Sequence, residues 1–192
     1  MAMTMTIWTL VALIYALQLI GSFALIGLLG LRVSGFAVPL LLLFLGGGLA
    51  LVFRSRDRNG HEGGWKPWLP VLIYAGFIFS LSSEPLTDVT ISVSGDLFHP
   101  IEYATLALIL SLATYPTFRK MGTTRFILAA LAIGILYAIS DEVHQSFVPG
   151  RDPSYTDLLL DAAGLLFGCW IFLILQRYLK PAAEPLSPRA EE

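Results

Sequence analysis

The chain has 192 residues, 56% of them hydrophobic and only 14% charged, with a formal net charge of −2 and a mean hydropathy of +0.73. Soluble domains carry about 25% charged residues. The apolar residues here fall in blocks of about 15–25, the length that crosses about 30 Å of hydrocarbon. These features exclude a soluble helical domain, whose helices carry polar stripes, and predict an all-α polytopic transmembrane helix bundle.

Six spans are predicted, at about 7–30, 36–53, 68–83, 97–115, 125–141 and 157–177. The first block has no basic residue before it, exceeds the length of a signal h-region and lacks a small-residue cleavage site, so it reads as a retained helix. Arg32 and Gly35 mark a tight link to the second span, where Gly46, Gly47 and Gly48 suggest close packing or a bend. The polar loop 54–67 follows, with Trp65 and Trp68 suited to a membrane interface. Its histidine, His61, reads as a solvated loop residue. Cys169, the single cysteine, excludes an internal disulfide and a cysteine-rich metal site. Three units follow: an N-terminal transmembrane hairpin with its loop (1–66), a four-helix domain (67–180) and a disordered tail (181–192) rich in Pro, Glu and Ala.

The charges divide by side. Arg54, Arg56, Arg58, Lys66, Arg119, Lys120, Arg125, Arg177, Lys180 and Arg189 collect on one side, leaving Arg32 and Arg151 on the other. The positive-inside rule then places the chain in the cell (cytoplasmic) membrane with both termini cytoplasmic. Glu84, Asp88, Asp96, Glu102, Asp141, Glu142, Asp152, Asp157 and Asp161 gather on or near the outer side, with His99 and His144. Acids contribute little to topology, so this bias calls for another explanation. Ionisable groups near a bilayer default to a functional site.

Helical spacing groups these residues further. Asp96, His99, Glu102 and Tyr103 share one face of the fourth span, with Asp96 a good N-cap and Pro100 tolerated in the first turn. The fifth span has about 16 apolar residues after Arg125, roughly 24 Å, which suggests a short helix and a mouth opening sideways toward the outer leaflet. Asp141, His144 and Gln145 close it, above a stripe of Ala130, Gly134 and Ala138. In the sixth span Asp157, Asp161, Gly164 and Gly168 form a stripe that includes a GxxxG pattern. Pro149-Gly150 predicts a turn that returns Arg151 over the same mouth.

With SLSSEP at 80–85, D-x-x-H-x-x-E-Y at 96–103, SDEVHQSFVPGR at 140–151 and D-x-x-x-D-x-x-G at 157–164, the chain resembles the VanZ-like family over about 70–178. The resemblance implies a four-helix layout and an association with resistance to teicoplanin, a lipid-bearing glycopeptide. By position it implies site roles for Ser83, Asp96, His99, Glu102, Tyr103, Asp141, Glu142, His144, Gln145, Arg151, Asp157 and Asp161. Leu97 stands where a basic residue is often found, Pro100 replaces a usual aromatic, and Asp161 stands where Asn is also common.

Catalytic roles are expected for His99, Glu102, Asp141, Glu142, His144, Asp157 and Asp161. Substrate contacts are expected from Asp96, Tyr103, Gln145, Arg151 and Ser83. A divalent metal on His99, Glu102, Asp141 and His144 would suit a mixed N/O set and offset the negative charge. Without a metal, a histidine would act as base or nucleophile beside a carboxylate, with Arg151 holding an anion. A bare diphosphate would be repelled by so many carboxylates. The expected substrate is a membrane lipid or lipid-linked envelope precursor, processed by a hydrolase or transferase. The alternatives are a non-enzymatic binding module for lipoglycopeptides and a cation- or proton-coupled transporter. No nucleic acid is expected as a partner, and the oligomeric state is left open.

Overall fold

The computed structural model describes residues 6–56, 65–84 and 98–177. The described chain is helical, with α1 over Ile7–Leu28, α2 over Ala37–Arg56, α3 over Trp68–Ser82, α4 over His99–Phe118, α5 over Thr123–Gln145 and α6 over Tyr155–Leu175. Five of these (all but α3) are long and apolar enough to cross a membrane, and α3 is a shorter apolar helix of 15 residues. Their outer faces carry large exposed apolar side chains such as Leu17, Phe44, Leu136 and Leu159. Only a hydrocarbon environment accepts a patch of that extent. The protein is an all-α transmembrane bundle.

Helix α4 lies at the centre. Half of its most apolar stretch is buried, against a third or less in the other four spanning helices. Its nearest neighbour is α6, and the cause is two glycines. A Cβ on Gly164 would strike the main chain of Pro100, and one on Gly168 would strike that of Ala104. The backbones therefore approach as closely as helices can, as a small-xxx-small seam permits. The α5 stripe of Ala130, Gly134 and Ala138 is buried, as is the α6 stripe of Asp157, Asp161, Gly164 and Gly168.

The hairpin α1–α2 packs against this unit. Gly46 leaves room for the ring of Tyr15, whose hydroxyl donates to the Pro70 carbonyl of α3. The same ring meets Tyr74 edge-on at 5.8 Å, a favoured aromatic geometry.

Two expectations change. Helix α5 does not stop at Asp141; it continues to Gln145 and, at 23 residues, is the longest of the six. Its last turn is polar, yet buried partners satisfy that turn and the helix persists. The short helix is α3. Helix α4 begins at His99 with Phe98 at its N-cap and no side-chain cap, while Asp96, proposed for that role, lies outside the described residues. So do His61 and the tail 181–192.

Candidate functional site

The C-terminal ends of α3 and α5 and the N-terminal ends of α4 and α6 meet at one end of the bundle. Sequence spacing pointed to three converging tips; α3 supplies a fourth through Ser82 and Ser83. Their side chains sort into three groups around Asp141 and Glu142. These neighbours lie about 100° apart around α5 and so serve different helices.

Asp141 is 1% exposed and faces α3 and α4. Its Oδ2 accepts from Ser82 Oγ at 2.9 Å, from Gln145 Nε2 at 3.2 Å and, more distantly, from Tyr103 OH at 3.4 Å. Oδ1 is buried without a hydrogen-bond partner among the described residues. Three donors on one oxygen identify Asp141 as the hub that ties α3, α4 and α5 together. Ser82, the nearest of them, lies inside the SLSSEP stretch, from which only its neighbour Ser83 is expected as a site residue.

Glu142 faces the other way. Its Oε2 accepts from the Ser154 N–H at 2.8 Å, which ties the end of α5 to the start of α6, where Ser154 Oγ caps Thr156 N. Across from it, His99 of α4 pairs with Asp161 of α6, Nδ1 to Oδ1, at 3.1 Å. His99, Glu142 and Asp161 are all buried, and they offer one ligand atom each within 4.8 Å of one another. Glu142 Oε1 and Asp161 Oδ2 are buried with no hydrogen-bond partner among the described residues. Such orphaned buried oxygens are rare, and each requires a physical account. Asp157 is buried in the first turn of α6, where the helix dipole favours a carboxylate.

The third group is more open. His144 Nε2 lies 3.0 Å from Ser83 Oγ, and its ring stacks on Phe79 at 4.1 Å. Ser83 Oγ also reaches the Phe79 carbonyl at 2.7 Å. With a single proton, the hydroxyl can donate to only one of the two. The two histidines thus share an end of the bundle but not a partner.

Arg151 returns to the same end of the bundle, as expected, and there meets main-chain carbonyls. The turn at Gly150, with φ of +82°, returns it to the site, where Nη2 and Nε donate to the Leu81 and Glu84 carbonyls at 2.9 and 3.3 Å. It caps the open C-terminal end of α3, a position that favours a cation. Of the four metal candidates read from spacing, only His99 belongs to the three-donor cluster. Asp141 accepts from Ser82 and Gln145, His144 meets Ser83, and Glu102 lies half-buried on α4 outside the cluster.

The family model described as VanZ/LLP1 matches residues 36–176, which takes in α2 as well as α3 to α6. The chain belongs to the VanZ/LLP1 family. No curated protein and no solved structure matches it. Within this VanZ/LLP1 chain the matched stretch contains every residue of the three polar groups.

Proposed function

We propose that this VanZ/LLP1 protein is a membrane-embedded hydrolase or transferase that acts on the headgroup of an amphiphilic envelope molecule. The observation that carries the reading is an apolar groove that starts at Pro100, the residue after His99, and so lies beside the buried polar cluster. The groove runs along the α4–α6 seam between Pro100, Ile101, Ala104 and Leu108 on one side and Gly164 and Phe167 on the other. Pro100 follows His99 directly, and Gly164 lies almost one turn beyond Asp161. From Pro100 to Leu108 the helix rises about 12 Å. Ile101 and Phe167 are more than half exposed, so the groove is open sideways to lipid. An acyl or prenyl chain laid in it would bring its headgroup to His99 and Asp161.

The charge distribution supports an outward-facing pocket. Arg54, Arg56, Lys66, Arg119, Lys120, Arg125 and Arg177 belong to the opposite ends of these helices, the cytoplasmic side by the positive-inside rule. Both termini are then cytoplasmic, and the substrate comes from the outer leaflet.

The test is turnover in proteoliposomes containing phospholipid and a lipid-linked sugar, with released headgroup followed by mass spectrometry. Wild type releases or transfers a headgroup. His99→Ala lowers the rate by about 100-fold or more, the usual contribution of one acid–base group, at unchanged membrane yield. Saturable, His99-dependent binding of a lipoglycopeptide without turnover of any amphiphile would replace the enzyme by a binding module.

A further inference from the structure

We infer that His99, Glu142 and Asp161 form a binding site for a single divalent first-row metal ion of mixed N/O preference, such as Zn²⁺ or Mn²⁺. The inference deepens the reading of this pocket as a reaction centre, but its test needs no turnover.

Four observations converge. The three side chains come one each from α4, α5 and α6, are all buried, and place one donor atom each within 4.8 Å of the others. Donors about 2.1 Å from a common ion, at tetrahedral or octahedral angles, lie about 3.0–3.4 Å apart. The 3.1 Å between His99 Nδ1 and Asp161 Oδ1 falls in that range, so an ion there would take the place of the proton the two atoms share.

The second observation is the pair of orphaned oxygens. Glu142 is 8% exposed and Asp161 0%, yet Oε1 of the first and Oδ2 of the second have no hydrogen-bond partner among the described residues. An ionised carboxylate buried in this way is costly unless it is paired or coordinates a metal.

The third is charge. The two carboxylates of Glu142 and Asp161 give the cluster a surplus that His99 alone does not cancel. Arg151 is turned toward the Leu81 and Glu84 carbonyls of the α3 end.

The fourth is orientation. Ser154 N–H holds Glu142 Oε2 at 2.8 Å, which fixes the carboxylate and leaves Oε1 to bind. Supported ligands of this kind are what a metal site requires. One imidazole and two carboxylates suit borderline ions over Mg²⁺ or Cu⁺, and three protein ligands leave a position for water or a headgroup oxygen, as in catalytic sites. A metal there would also bridge an anionic headgroup that the bare carboxylates would repel.

The experiment is metal analysis of protein purified in detergent without chelator, followed by titration of chelator-treated protein with Zn²⁺ and with Mn²⁺, read by thermal unfolding. Wild type is expected to hold about one ion per chain and to gain in Tm on titration, as any ligand specific to the folded state produces. Glu142→Gln and Asp161→Asn, which keep shape and polarity, should each bind at least about tenfold more weakly while eluting as monodisperse protein. Metal retained at full stoichiometry in both variants would assign it elsewhere and overturn the inference. So would a wild type whose Tm answers neither ion. Headgroup turnover that survives full chelation would leave the proposed function standing and remove the metal. A metal bound as described in a protein with no turnover would do the reverse.

Discussion

The α1–α2 and α4–α6 seams both close over glycine, but what lies opposite the glycine differs. At Gly46 it is the ring of Tyr15; at Gly164 and Gly168 it is the main chain of Pro100 and Ala104. A side chain can be trimmed to admit a methyl group, whereas a backbone can yield only if its whole helix moves. The hairpin seam is therefore a packing contact. The α4–α6 seam sets the distance between two helices on which His99, one residue away, and Asp161, almost one turn away, meet at 3.1 Å. Close backbone approach in this protein is also what assembles the polar pocket.

Substitutions at the two seams should separate these roles. The largest effect is expected from Gly164→Ala, which forces α4 from α6. It should cost about 2–3 kcal/mol, the upper range for overpacking, lower Tm in detergent and disrupt the His99–Asp161 pair. No single side-chain reduction nearby should restore it. Gly46→Ala should cost about 1–3 kcal/mol by the same mechanism, but Tyr15→Leu in the same chain should recover part of the loss. Equal rescue at both seams would erase the distinction. The smallest effect belongs to the link between α3 and the 146–154 turn. Arg151→Ala removes the hydrogen bonds to the Leu81 and Glu84 carbonyls and should cost about 1–2 kcal/mol, seen as faster proteolysis at the end of α3. If Arg151 instead held a substrate anion, the change would raise KM and leave proteolysis unaltered.

The sequence carried the architecture well, because hydrocarbon thickness fixes span length and only apolar blocks meet it. The buried stripes on α5 and α6 were also legible, since Gly and Ala at helical spacing mark where a neighbour approaches. Helix α5 was read too short because its apolar run ends at Asp141. The helix continues because Asp141 and Gln145 bond to each other and Glu142 finds Ser154, information that lies in other segments. The pocket itself was read only in part. Spacing groups residues along one helix, so His99 was grouped with Glu102, and Asp141 with His144. The structure draws one residue from each of three helices, and which face of α5 meets α4 depends on a rotation that no single-helix pattern records. Adjacent Asp141 and Glu142 show this most clearly, one facing Ser82 and the other Ser154.

The central claim is that side chains on separate helices act as one site, and a double-mutant cycle on headgroup turnover tests it most directly. His99 on α4 and Glu142 on α5 are changed singly and together, to Ala and Gln. Residues that act as a unit are strongly non-additive, so the double variant should lie within about threefold of the slower single variant. A double variant whose loss equals the product of the two single losses would show independent residues and contradict the account.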